Sequence, residues 1–142
     1  RMAKVDIRLP EEFQAKLSKL GKKTDEIAQK ALRAGGEVVL EKVRDNLANV
    51  VGKGEHSRST GELQASLGLT PVKVDRDGNS NIKVGFAEPR SDGDSNAKIA
   101  NILEYGRHGQ PARPFLKPAK KASANECKQR MIQTLEEEIS KL

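Results

Sequence analysis

The stretch NILEYGRHGQPARPFLKPA, residues 101–119, decides how the helices of this chain are joined. It contains three of the six prolines, two glycines and two of the four aromatic residues. Gly106 can take the positive φ that ends a helix. Pro111 and Pro114 each restrict the preceding residue to an extended conformation. The stretch therefore predicts a helix that stops near Tyr105 and a stiff crossing to the next helix.

The next helix is predicted to begin inside this stretch. Pro114 suits a first helical position, where its missing N–H is tolerated. Pro118 cannot donate a hydrogen bond to the carbonyl of residue 114, so Phe115 and Leu116 should lie on a fixed first turn. Apolar residues then recur at helical spacing over residues 115–141. The acids at 136–138 oppose the helix dipole, which predicts fraying unless a partner supplies cations.

The longest periodic segment lies upstream of this stretch. Thr24 is a suitable N-cap, and apolar residues recur at helical spacing from there to Leu47. Gly35 and Gly36 interrupt the pattern, and each costs about 1 kcal/mol relative to alanine inside a helix. Either the helix kinks there or another backbone approaches closely, and we favour the close approach.

Alternating apolar and polar residues predict three strands, at 4–9, 66–76 and 81–87. The second strand should be interrupted near Pro71. An Asp-Gly-Asn turn at 77–79 should pair the last two strands as an antiparallel hairpin.

Shorter elements connect these segments. Residues 10–21 and 97–105 predict short helices, the latter with Ile99, Ile102 and Leu103 facing inward. Thr60 should cap a helical turn, and two polar segments, 48–59 and 88–95, should be loops. The predicted fold class is α+β, a small antiparallel sheet packed against long helices, in a single domain over residues 1–142.

Composition narrows the choice of partners. The net charge is +6 and the pI is about 9.5, which favours nucleic acid or an anionic protein face, although a basic surface can also serve solubility alone. Aromatic residues make up only 3%, so nucleic-acid binding would depend on phosphate contacts rather than base stacking. No apolar run approaches a membrane span or a signal peptide, so we expect a soluble protein without a membrane partner.

The sequence offers little for catalysis or metal binding. Cys127 is the single cysteine, which excludes an internal disulfide, and His108 is the one residue worth testing as its catalytic partner. His56 stands alone in a polar segment. The Gly-Lys-Gly at 52–54 lacks the spacing and the preceding strand of a phosphate-binding loop. We therefore predict no enzymatic activity, no catalytic or metal-binding residues and no cofactor.

Three sequence elements resemble the tail-component family of long-tailed bacteriophages. They are TGELQAS at 60–66, VGF at 84–86, and LEYG at 103–106 followed by PARPFLKPA at 111–119. The positions shared with the family pattern are Thr60, Gly61, Leu63, Ser66, Gly85, Gly106, Pro111, Pro114 and Pro118. The chain departs from the pattern at Arg107, where a small hydroxyl residue is usual, and at residues 57–59, which replace a Pro-Val lead-in.

The resemblance implies a structural virion protein of a phage or prophage. It implies a place at the neck, in tail completion or head–tail joining, and assembly in the host cytoplasm. The implied partners are other copies of the chain in a ring, with six copies expected, together with other neck or tail proteins. DNA passing through a channel would be contacted without sequence preference. A basic, sequence-nonspecific nucleic-acid-binding protein is the alternative function.

Five residues of the central stretch are candidates for an interface: Glu104, Tyr105, Arg107, Arg113 and Phe115. Arg113 stands out because two flanking prolines pre-order it, and its planar fork can bind a carboxylate or a phosphate. It could instead pair with Glu104 or pack on Tyr105 within the chain. Arg107 and His108 should lie on an exposed turn, where they could face DNA.

Overall fold

The computed structural model describes residues 3–13, 24–51, 61–74, 80–88 and 95–142. In these residues the elements are β1 (Val5–Arg8), α1 (Thr24–Val50), α2 (Glu62–Ser66), β2 (Leu67–Leu69), β3 (Lys73–Val74), β4 (Ser80–Phe86), α3 (Asn96–Tyr105) and α4 (Leu116–Ser140). The α+β prediction is confirmed. Residues 11–13 are also helical. Most of the helix predicted after Pro10, Thr60, the 77–79 turn and most of the two predicted loops lie outside the described residues.

The sheet is antiparallel, and β4 is its central strand. Its order is β1-β4-β2, and β3 also pairs with β4. Val5 lies opposite Val84, and Leu67 lies opposite Phe86. The predicted pairing is therefore confirmed, and the strand predicted over 66–76 is divided into β2 and β3 around Pro71. Because side chains alternate along a strand, one apolar row of each strand faces the helices.

Helix α1 packs closely against both the sheet and α4 through its adjacent glycines. A Cβ at Gly35 would lie 2.5 Å from Met131 Cγ on α4. A Cβ at Gly36 would lie 2.9 Å from Leu69 Cδ2 on β2. The two glycines do lie at close contacts, but the sequence prediction of an approaching backbone is wrong, because side chains fill the space that the glycines leave.

Helices α1 and α4 run antiparallel beside each other. Near one end of the pair, Asn46 Nδ2 donates to the carbonyl of Phe115 at 3.3 Å. Near the other end, Lys30 Nζ lies 2.7 Å from Glu138 Oε1. The largest fully buried apolar side chains come from both helices and from β4, and they are Phe115, Leu32, Leu47, Ile82, Leu135, Val43 and Val84. The core therefore lies where the helix pair meets the sheet.

The acidic end of α4 does not fray as the sequence predicts. The helix continues to Ser140 because cations of the same chain neutralise Glu138. Lys30 on α1 and Lys141, at 3.4 Å, both contact this carboxylate. The hydrogen bond that Lys30 donates lowers the pKa of Glu138, and the same bond raises the pKa of Lys30.

Helix α3 buries a polar face, contrary to the sequence prediction. Its buried residues are Asn96, Ala100 and Glu104, which recur every fourth position. The predicted inward residues Ile99, Ile102 and Leu103 are only partly buried, and Ile99 and Leu103 pack against the edge of the core. The reason is that Asn96 and Glu104 bond to backbone groups outside the helix. Across the described ranges, no helix is long and apolar enough to cross a bilayer.

Candidate functional site

The candidate site is the linker segment, residues 106–115, which connects α3 to α4. Its anchor is Glu104, on the last turn of α3, which is only 4% exposed. Oε1 accepts from the N–H of Phe115 at 2.8 Å and of Leu116 at 2.7 Å. Oε2 accepts from the N–H of Lys117 at 3.1 Å. The carboxylate of one helix therefore caps the N-terminus of the next.

This cap moves the start of α4 relative to the sequence prediction. Phe115 is the N-cap residue and Leu116 the first helical residue, so Pro114 lies before the helix. Pro118 occupies the third helical position, where an N–H would have no intrahelical partner. A carboxylate at this end also interacts favourably with the helix dipole.

Gly106 begins the linker segment in a conformation that other residues avoid. Its φ is 77°, and its N–H donates to the carbonyl of Ile102 at 2.7 Å, which closes α3. A Cβ there would lie 2.7 Å from the backbone nitrogen of Ala112. Glycine is thus required both by the positive φ and by the returning chain.

Residues 107–110 form a tight turn at the tip of the linker segment. Arg107 and Gln110 exchange two backbone hydrogen bonds, each 2.9 Å long. Gly109 has φ 78°, which suits the position of a turn that must have a positive φ. Behind the turn, the N–H of Arg113 donates to the carbonyl of Leu103 at 2.6 Å. The linker segment is thereby fixed to α3 at both its beginning and its end.

The interface candidates divide into an exposed and a buried set. Tyr105 is 40% exposed, Arg107 is exposed and Arg113 is half-buried. Glu104 and Phe115 are buried, and the Phe115 ring packs edge-to-face on Phe86 with centroids 6.0 Å apart. Buried residues would support an interface by holding the linker segment rather than by touching a partner. The pairing of Arg113 with Glu104 or with Tyr105 stays a prediction.

Five exposed basic residues lie within the linker segment or just after it in the chain. Arg107 and His108 lie exposed on the turn, and Lys117, Lys120 and Lys121 lie exposed on the first turns of α4. We call these five residues the basic patch. Exposed positive charge of this kind attracts an anionic partner, and salt weakens the attraction.

A second carboxylate cap lies at the start of α3 and is not among the sequence predictions. Glu88 accepts from the N–H of Asn96 at 3.1 Å and of Ala97 at 2.8 Å, and from Ser95 Oγ at 2.9 Å. Ser95 Oγ in turn accepts from the N–H of Lys98 at 3.2 Å. Serine before a helix is a recognisable N-cap signal, but nothing local marks Glu88. Both N-termini, of α3 and of α4, are thus occupied by carboxylates.

The upstream motif positions are structural. Gly61, with φ 79°, is the N-cap of α2. Leu63 is buried in the core. Ser66 Oγ donates to the carbonyl of Leu63 at 2.7 Å. Gly85 lies directly opposite Gly68 in the sheet.

The candidate catalytic pair is not brought together. Cys127 is buried beside Gly35, and burial raises the pKa of its thiol to about 11. A thiol with so high a pKa is a poor nucleophile at neutral pH. His108, in contrast, lies on the exposed turn. Among the described residues, no group of three or more His, Cys, Asp or Glu could hold a metal ion.

A family model described as "Bacteriophage HK97-gp10, putative tail-component" matches residues 11–106, more than half of the chain. The matched range includes the motifs at 60–66 and 84–86 and ends at Gly106. The prolines of the linker segment and all of α4 therefore lie beyond it. No curated protein and no solved structure matches the chain.

Proposed function

The chain belongs to the HK97-gp10-like family of bacteriophage tail components, and from this membership we propose that it acts at the neck of the virion. There it is a structural protein that completes the tail or joins the tail to the head. It assembles in the host cytoplasm and contacts other neck or tail proteins.

The linker segment is the observation that carries this proposal. Its backbone is fixed by Glu104, by Gly106 and by the bond from Arg113 to Leu103, while Tyr105 and Arg107 remain exposed. A surface that is ordered before binding loses little conformational entropy on assembly. The linker segment is therefore suited to docking against another protein of the neck.

In this proposal the chain works as a ring of copies in head-to-tail contact. Each copy then uses two different surfaces, and the contacts close around the axis of the tail. Six copies match the symmetry expected of a long tail. DNA passing through the ring would meet the basic patch and be held by phosphate contacts without sequence preference.

This role requires no catalysis, and a buried Cys127 with a raised pKa fits a purely structural protein. The alternative, a nonspecific nucleic-acid-binding protein, is favoured by one observation, the basic patch. Against it, the carboxylates of Glu88 and Glu104 occupy the helix N-termini at which phosphates commonly bind.

The test is incorporation into tails. A lysogen of the source prophage that lacks this gene would be complemented with wild type, Tyr105→Ala with Arg107→Glu, or the control Arg33→Glu on the exposed face of α1. After induction, mass spectrometry of purified tails counts the copies. We expect wild type and control to incorporate and the linker variant to be depleted about tenfold, which equals about 1.4 kcal/mol.

Two results would contradict the proposal. Absence of the wild-type protein from tails would exclude the structural role. Salt-sensitive duplex binding by the isolated monomer, together with that absence, would favour the nucleic-acid alternative.

A further inference from the structure

The sheet has an outer face, turned away from α1, on which Asn81 is buried but two positions carry no side chain. Gly68 on β2 and Gly85 on β4 lie directly opposite each other. Neither has a positive φ, and no described residue lies within 4 Å of a Cβ built at either position. Their neighbours Val84 and Leu67 point to the core, so the two glycines lie on the other side of the sheet without a side chain, and we call them the bare pair. We call this side the outer sheet face.

The charges of the outer sheet face are mainly positive. Lys83 precedes the bare pair by one outward position on β4, and Lys73 lies on the adjacent strand opposite Asn81. On β1, Arg8 forms an ion pair with Asp6, with Nη2 and Oδ2 3.6 Å apart. Asp6 lies opposite Lys83. The two lysines should be about 8 Å apart, given the spacing of residues and strands in a sheet.

The helix layer presents the opposite charge on the opposite side of the molecule. A shallow groove of about 300 Å³ lies between α1 and α4, and its charged lining residues are Glu37, Glu41, Lys42, Asp45, Glu126 and Arg130. Four of these six are acids. Glu37, Glu41 and Asp45 recur every fourth residue and form one ridge about 12 Å long. We call this the acidic groove.

We propose that the outer sheet face of one copy docks on the acidic groove of the next copy in the ring. This inference rests on the proposed function and assigns the two surfaces that a head-to-tail contact needs. Lys73 and Lys83 of one copy would meet the ridge of Glu37, Glu41 and Asp45 on its neighbour. The bare pair allows a helix to approach the sheet closely, as Gly36 does inside each copy.

The two surfaces fit a closed assembly for a geometric reason. They lie on opposite sides of a sheet-and-helix sandwich, so one copy cannot satisfy its own pair of surfaces. Two copies related by a two-fold axis would place like surfaces together, which their charges disfavour. Each surface is satisfied only by a head-to-tail neighbour, and such contacts form rings when the rotation closes.

Charge reversal tests this arrangement in the prophage complementation assay. The sheet variant carries Lys73→Glu and Lys83→Glu, with Asp6→Asn so that two carboxylates do not lie opposite each other. The groove variant carries Glu37→Lys and Glu41→Lys. Each should reduce the copies per tail at least about tenfold, because like charges then face each other. A chain with both sets should recover to within about twofold of wild type.

The matched control reverses two acids elsewhere on α4. Glu136→Lys with Glu137→Lys makes the same charge change as the groove variant, on exposed residues outside the groove. Incorporation of this control should be unchanged. Unchanged incorporation of the sheet variant, or failure of the combined variant to recover while it remains folded, would overturn the proposal.

A second variant separates docking from folding. Gly85→Tyr fills space that is open in the isolated chain, and tyrosine favours strands over glycine, so the melting temperature should not fall. Tail incorporation should nevertheless be lost. Normal incorporation of Gly85→Tyr would show that nothing covers the bare pair and would overturn the docking.

Other outcomes have distinct meanings. If wild type incorporates but the sheet variant alone loses duplex binding, with no rescue by the groove changes, the outer sheet face binds DNA and the inference is wrong. If wild type itself is absent from tails, the proposed function fails and this inference fails with it.

Discussion

Glu104 and Pro118 together leave no unbonded backbone N–H among residues 115–118 at the start of α4. Glu104 accepts from the three N–H groups of residues 115–117, and Pro118, the fourth, has none. A helix ordinarily leaves four such donors to solvent or to a ligand. Here no such donor is left over, and one buried carboxylate joins the end of α3 to the start of α4.

Removal of that carboxylate should destabilise the fold strongly. In Glu104→Ala the buried amides of Phe115 and Leu116 lose their acceptor, and the free energy of unfolding should fall by about 3 kcal/mol. Glu88→Ala is the matched control, because it removes a carboxylate cap that is exposed, and it should cost about 1 kcal/mol. Urea denaturation measures both. Equal losses would show that burial does not determine the strength of the cap.

A comparison of variants at Gly106 and Gly109 distinguishes the cost of steric crowding from the cost of a left-handed backbone conformation. Both have a φ near 80°, but only at Gly106 would a Cβ meet the returning backbone. Gly109→Ala should cost about 1 kcal/mol for the left-handed conformation alone. Gly106→Ala should cost about 3 kcal/mol because overpacking is added to that strain. If the two variants unfold at the same urea concentration, the close approach to Ala112 is not a constraint.

The elements that could be predicted from the sequence are those with local periodic patterns. Strand β1, the antiparallel pairing around Pro71 and helix α1 each follow from apolar residues at a fixed spacing. The paired glycines also predict a close contact at Gly35, but not that side chains of α4 make it.

The features that sequence reasoning misplaced depend on residues distant along the chain. The sequence predicts that α4 begins at Pro114. It begins at Leu116, because the carboxylate of Glu104, on a different helix, accepts hydrogen bonds from the amides of Phe115 and Leu116. The end of α4 was predicted to fray, but Lys30 on α1 neutralises Glu138. Spacing within a segment carries no information about such partners. The interface role of Tyr105, Arg107 and Arg113 stays a prediction, because it depends on a second molecule.

The contact between Gly35 and Met131 should appear as a coupling energy. Gly35→Ala gains about 1 kcal/mol of helix propensity but overpacks the space beside Met131 Cγ, for a net loss of about 1 kcal/mol. Met131→Ala alone should cost about 2 to 5 kcal/mol by leaving a cavity. The double variant should be more stable than the sum predicts by at least about 1 kcal/mol. Strict additivity in a double-mutant cycle would contradict the close approach.

The ion pair of Lys30 and Glu138 should make stability depend on pH. Because folding lowers the pKa of Glu138 below its ordinary 4.5, the pair's contribution is present above that pH and is lost as pH falls through the folded value. Because folding raises the pKa of Lys30 above its ordinary 10.5, the contribution is lost again as pH rises through the raised pKa of the folded state. The stability difference between wild type and Glu138→Gln should therefore be greatest between these limits and shrink in high salt. A difference that is independent of both pH and salt would exclude the ion pair as its cause.

The thiol of Cys127 should be protected by the fold. Its pKa of about 11, against an ordinary 9.0, lowers the reactive thiolate at neutral pH about a hundredfold, and burial adds a steric barrier. Alkylation by iodoacetamide at pH 7.5 should therefore be at least a hundredfold slower in the native protein than in urea, as followed by intact mass. Cys127→Ala with His108→Ala should incorporate into tails as wild type does, because neither residue is needed for a structural role. Rapid native labelling, or loss of incorporation by a folded double variant, would mean that one of these side chains has a chemical function.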